Sequence, residues 1–155
     1  MSLSEKILEL LVERATLSRD QAASQASGSE RELQSARLTH QSLLDFAEQK
    51  AQERRSQINQ SIGTQDVISH TRFSKKLVHA TELQGELTER LDKTNQSNVQ
   101  ALQARQRQLL AIELLANRRK EQLQEQQRRA EQRISDENAA LGYTRKPGHN
   151  NTQGS

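Results

Sequence analysis

Apolar residues recur along this chain at alternating intervals of three and four, the spacing of a helix face rather than of a strand. Leu3, Ile7, Leu10, Leu17 and Ser24 fall on one stripe, with Arg14 and Gln21 at intervening positions. That is a coiled-coil seam diluted by polar residues. The phase breaks around Ser27, Gly28 and Ser29, which predicts a local unwinding or a stutter. It resumes as Leu33, Arg37, His40, Leu44, Ala47, Ala51, Arg54 and Ile58. Ser2 and Glu5 have the spacing of a capping box, so a first helix is expected from about residue 3 to about residue 61.

The strong turn signal before the C-terminal tail is Ser61-Ile62-Gly63-Thr64. Gly63 can end a helix in a left-handed conformation, and Thr64 or Asp66 can cap the next one. A turn over about 62–66 then leads to a second helix over about 67–140, read from Phe73, Leu77, Ala80, Gln84, Leu87 and Leu91. After a drift between Thr94 and Asn98 the pattern resumes as Leu102, Leu109, Ile112, Ala116, Leu123, Gln126 and Ala130. With so short a loop the arms must run antiparallel, which puts the two phase breaks at about the same height, where one shared irregularity explains both. An arm of about 60 residues is about 90 Å long at about 1.5 Å per residue. The expected fold class is all-α: a long antiparallel two-helix coiled-coil hairpin forming one domain over residues 1–141. A disordered C-terminal tail over 142–155 follows, with Gly142, Pro147, Gly148, Asn150, Asn151 and Gly154.

Composition changes this picture only by excluding thicker alternatives. With 32% hydrophobic, 28% charged and 2% aromatic residues, a narrow seam can be buried and a globular core cannot. The same figures suit a disordered chain, but disorder does not arrange its apolar residues at helical intervals over many turns. A net charge of +3 is weak grounds for nucleic acid. The absence of cysteine permits a reducing compartment. Glu5, Glu9 and Glu13 interrupt the first apolar residues, so no signal peptide is expected, and no apolar run reaches the length of a bilayer span. The expected location is the cytoplasm.

Catalytic motifs are missing: there is no phosphate-binding loop, no dinucleotide-binding glycine pattern, no zinc-binding H-E-x-x-H and no cysteine nucleophile. A two-helix hairpin also lacks the interior an enzyme needs, so a non-enzymatic protein with no cofactor is expected. His70 and His79 fall on opposite faces of one helix and do not make a metal pair; with His40 and His149 they read as solvated or seam residues. Arg118, Arg119, Lys120, Arg128, Arg129 and Arg133 are interleaved with Glu121, Glu125 and Glu131, which reads as a laced, solvated face or as an electropositive surface for an acidic partner. Phe46 and Phe73 are the chain's two phenylalanines, and both lie near the turn. Phe73, Leu77, Ala80 and Leu87 either continue the buried seam or form an exposed docking stripe with Leu43 and Phe46. The surplus of apolar residues beside the first arm's seam favours docking.

From about residue 3 to Leu141 the chain resembles the FliJ family, helical-hairpin components of the flagellar type III protein export apparatus. The likeness rests on Leu43-Leu44-Asp45-Phe46, the turn at Gly63, Phe73 with Leu77 and Ala80, and the stretch from Ala130 to Ala139. The resemblance implies a non-enzymatic stalk that binds the hexameric export ATPase and its regulator, contacts the cytoplasmic domain of the export gate, and meets export chaperones. It implies a place peripheral to the cytoplasmic face of the inner membrane, with membrane association through partners and no specific nucleic acid. The gate-binding stripe carries over onto Leu43, Phe46, Phe73, Leu77, Ala80 and Gln84, flanked by Thr39 and Lys50. Lys50 stands where the family pattern has an aromatic, Gln84 where it has a histidine, and Thr39 where it has a glutamine. The ATPase-facing end implied is the one where both termini meet, with Leu10, Leu17, Leu109, Ile112, Arg118 and Arg119. A homomeric coiled-coil scaffold and an injectisome counterpart of the stalk remain alternatives, and monomer and dimer stay open.

Overall fold

Ser2 and Glu5 start the first helix by satisfying each other's open backbone amides. The Ser2 amide donates to Glu5 Oε2 at 2.8 Å, and the Glu5 amide donates to Ser2 Oγ at 3.3 Å. In this computed structural model residues 2–58, 60 and 62–144 are described. They form two helices, α1 (Leu3–Gln57) and α2 (Thr64–Thr144), with no strand among the described residues.

α1 ends at Gln57, before the end expected near residue 61. Gly63 plays the opposite part to the one the pattern gave it: its φ is not positive, and its carbonyl accepts from the amides of Asp66 and Val67 at 3.0 and 3.3 Å. It therefore begins α2 as the capping residue instead of ending α1, and Asp66 supplies the acidic side chain that a helix N-terminus favours. At the far end Gly142 and Thr144 are still helical, and residues 145–155, the rest of the expected tail, lie outside the described residues.

The chain divides into two compact units, residues 14–109 and residues 1–13 with 110–155. In the first, α1 and α2 run antiparallel, with Ser29 opposite Asn95, Ala36 opposite Gln84 and Phe46 opposite Phe73. One row of covered positions along α1 is Ala15, Arg19, Ala22, Ala26, Ser29, Leu33, Ala36, His40, Leu43, Ala47 and Lys50. They alternate in threes and fours without a break. The stutter expected at Ser27–Ser29 does not exist: α1 is continuous there, and Ser29 is itself a seam residue. Only the leucines shift phase, because Leu17 and Leu38 point outward while alanines fill the seam.

Ser29 and Asn95 are the shared irregularity at one height, and it is chemical rather than conformational. Both are buried, Ser29 Oγ lies 2.9 Å from Asn95 Oδ1 and 3.0 Å from the Ala26 carbonyl, and Asn95 Nδ2 donates to Glu30 Oε2 at 3.2 Å. A buried polar pair is tolerated when its hydrogen bonds are made, and a polar seam residue disfavours other registers. Farther along, Gly85 lets His40 lie against α2, since a Cβ there would come within 3.3 Å of His40 Nε2.

In the other unit, Leu8 and Val12 of α1 lie beside Ala116 of α2. α2 then continues alone: every side chain from Glu131 to Tyr143 is exposed. Such a helix draws on residues of high helix propensity and on pairs one turn apart, such as Arg129 with Glu125 and Gln132 with Asp136.

Candidate functional site

Near the turn the seam of α2 is built from Ser74, Leu77, Thr81, Gln84, Thr88 and Leu91. The hydroxyls of Thr81 and Thr88 donate to the carbonyls of Leu77 and Gln84, both at 2.8 Å, so small side chains that satisfy themselves occupy the interface. The more apolar residues one position earlier, Phe73, Ala80 and Leu87, are left on the outside. The phase read from the sequence for this stretch was therefore one residue early at every other position.

Phe46 and Phe73 meet across the two helices edge to face, with ring centroids 6.0 Å apart and planes at 82°. They are 39% and 42% exposed, so the pair closes the edge of the seam while presenting its rings to solvent. Lys50 Nζ sits 5.5 Å above the Phe46 ring and 3.1 Å from Glu53 Oε2. Leu43 and Leu77 are half-buried in the seam, and Ala80 is exposed. Gln84 turns inward and donates to the Ala36 carbonyl at 3.2 Å, which makes it a strut between the helices. Thr39 bonds the Ser35 carbonyl of its own helix at 3.0 Å. Ile58, which the periodicity places in the seam, is instead exposed beside Phe73, and so is Val78, which the periodicity does not single out. The recurring Ser74, Thr81 and Thr88 are the signal for Val78, since a seam through those positions turns Phe73 and Val78 outward.

The six residues assigned to the opposite end divide between the units. In residues 14–109, Leu17 is exposed, whereas Leu109 is only 7% exposed and holds the seam. In the other unit, Leu10 is exposed, Ile112 is half-buried in the seam, and Arg118 and Arg119 are exposed with no carboxylate in ion-pair range among the described residues. Leu3, Ile7 and Leu10 lie on the face of α1 turned away from the seam, and all three are exposed. A groove runs over Leu8, Val12 and Ala116, with Glu5, Glu9 and Glu13 on one wall and Arg119 and Lys120 on the other.

The basic stretch is not uniform. Glu125 takes Arg128 at 2.7 Å and Arg129 at 3.0 Å, and these guanidiniums, Arg128 first, hold its carboxyl below the ordinary value. Arg128 and Arg129 thus belong to a laced, solvated face, unlike Arg118, Arg119 and Lys120. His70 and His79 are exposed, and the described residues contain no group of three or more His, Cys, Asp or Glu side chains able to hold a metal ion. Among the described residues no helix is long and apolar enough to cross a membrane. His149 lies outside the described residues.

Residues 5–148 match the flagellar FliJ protein family, nearly the whole chain, and the chain belongs to that family. No match was found among curated proteins or among solved structures.

Proposed function

We propose that this member of the flagellar export machinery is a non-enzymatic stalk: it binds the hexameric export ATPase and its regulator with the unit that carries both chain ends, and the cytoplasmic domain of the export gate with the Phe46–Phe73 patch. The observation that carries the reading is the position of the two rings. They are the only phenylalanines of the chain, they touch each other, and the fold leaves each of them two-fifths exposed while serine and threonine fill the seam beside them. Aromatic pairs placed so are the usual anchors of protein interfaces. Phe73 and Phe46 are the anchors, Leu43 and Leu77 set their backing, Ala80 leaves room for an incoming side chain, and Gln84 holds the helices together beneath. Lys50, where the family pattern has an aromatic, supplies a charge above the Phe46 ring instead of a third ring.

At the other contact, Leu10, Arg118 and Arg119 offer an apolar stripe and unpaired positive charge, and the lone end of α2 offers a bare helix to a ring. Leu109 and Ile112 act there through the seam, and Leu17 extends the same outward stripe along α1. Escort of export chaperones and residence at the cytoplasmic face of the inner membrane follow from the same reading. Because Leu3, Ile7 and Leu10 also suit a second copy's helix, a homomeric scaffold is the second reading, and light scattering on the purified chain separates them.

The deciding test is co-elution of the purified chain with the export ATPase and, separately, with the gate's cytoplasmic domain. The expected result is binding to both, a raised ATPase rate, and loss of gate binding alone in Phe46→Ser with Phe73→Ser. Absence of both partners from the eluted complex would remove the stalk reading.

A further inference from the structure

Beside the Phe46–Phe73 pair, within residues 14–109, lies a groove whose floor is Ala51, Ile58, Leu77 and Val78, with Phe73 at its edge. Ile58 and Val78 are among the more exposed large apolar residues of the chain, so this floor is wet and unpartnered. Its rim carries three cationic side chains from α1, Lys50, Arg54 and Arg55, and the imidazole of His70 from α2. Among the described residues no carboxylate lines the groove, although the chain as a whole carries 23 basic and 20 acidic residues in close alternation. Lys50 is partly answered by Glu53, but Arg54 and Arg55 have no carboxylate in ion-pair range among the described residues. The nearby carboxylate of Asp66 belongs to the adjoining recess and to the first turn of α2.

Basic residues in the last turn of a helix ease its dipole, and this accounts for part of Arg54 and Arg55. It does not account for His70, which comes from the first turns of the other helix, nor for an acid-free rim around an exposed apolar floor. We propose that this groove is a docking site for an acidic segment that carries apolar side chains, the apolar residues seating over Ile58 and Val78 and the carboxylates meeting Arg54 and Arg55. The inference rests on the gate-docking reading above and adds the chemistry of the segment that docks. The rings provide affinity, and the guanidiniums select sign and steer the encounter.

The experiment uses the full chain and two fluorescein-labelled amphipathic peptides, one of leucine and glutamate and one of leucine and lysine, read by fluorescence anisotropy. The acidic peptide is expected to bind at least about tenfold more tightly than the basic one at about 50 mM salt, with affinity falling as salt rises. Arg54→Gln with Arg55→Gln should lower its affinity about fivefold or more and flatten the salt dependence, while Arg54→Lys with Arg55→Lys retains most of it. Circular dichroism of each variant identifies any loss of helix. Equal binding of the two peptides, or a folded glutamine variant that binds as well as the parent, overturns the inference.

A parallel arm uses the cytoplasmic domain of the export gate. If that domain binds and the glutamine variant binds it equally well, the acidic-segment inference fails and the gate reading stands. If the acidic peptide binds through Arg54 and Arg55 but the gate domain does not bind at all, the gate reading fails and the groove's chemistry stands.

Discussion

Within residues 14–109, two stretches of one continuous heptad behave differently. Between Ala15 and Ala36, α1 buries Ala15, Ala22, Ala26, Ser29, Leu33 and Ala36; between Arg37 and Gln57 it buries none. The second stretch is richer in large apolar residues, with Leu38, Leu43, Leu44 and Phe46 against Leu17 and Leu33 in the first. Size explains the contrast. Alanine and serine are small enough to be covered between the helices, whereas the longer His40, Leu43 and Lys50 are covered only in part and the rings of Phe46 and Phe73 meet at the rim. The tight stretch carries the buried contacts, and the loose one leaves apolar surface exposed.

The largest test of that contrast is Leu33→Ala, which removes a side chain only 1% exposed. It is expected to cost about 3 kcal/mol in denaturant unfolding, against less than about 0.5 kcal/mol for Leu38→Ala on the outer face. Equal costs would show that the tight stretch does not hold the hairpin. Next is Asn95→Ala, which strips Ser29 and Glu30 of their cross-helix partner and is expected to cost about 1 kcal/mol by the same measurement. Replacing the pair together, Ser29→Ala with Asn95→Leu, should recover that loss, because no buried polar group is then left unbonded. In the loose stretch, Phe46→Ser is expected to cost less than about 1 kcal/mol in stability, the worth of an edge-to-face pair at a wet rim, while greatly weakening gate binding. A larger stability loss with binding intact would move Phe46 into the core.

The smallest effect is expected at the lone end of α2. Glu125 is half-exposed, and its carboxyl is held below its ordinary value by Arg128 and then Arg129. A depressed folded-state value contributes stability that is present above the unfolded value of 4.5 and is lost as the pH falls through the folded one. Titration by NMR should find Glu125 protonating at lower pH in the parent than in Arg128→Gln with Arg129→Gln. If parent and variant titrate together, the ion pairs do not persist in solution.

The two helices, their antiparallel packing and the capping box at Ser2 were legible because each rests on local rules: a helical period, a short connection and an S-x-x-E spacing. Phe46 and Phe73 stood out as candidates by rarity and by their nearness to the turn, and the structure alone sets the two rings edge to face. What misled was following leucine instead of the seam. Leu3, Leu10 and Leu17 trace a heptad on the wrong face of α1, and the apparent stutter at Gly28 was only the point where the outer stripe gave way to the inner one. Gly63 misled for a similar reason, since a glycine at a boundary serves either the helix it ends or the one it begins.

The sequence by itself determined that this chain forms two long helices, that they return on each other near Gly63, and that its family is that of the flagellar FliJ protein. Periodicity and short-range capping depend on neighbours within a turn or two, and those neighbours are written in order. The tertiary structure alone decided which of two interleaved heptads is buried, that Gln84 is a strut and Leu109 a seal, and that an acid-free groove opens beside the rings. Those outcomes depend on how closely two helices approach, which is set by the smallest side chains in the seam and not by the most hydrophobic ones.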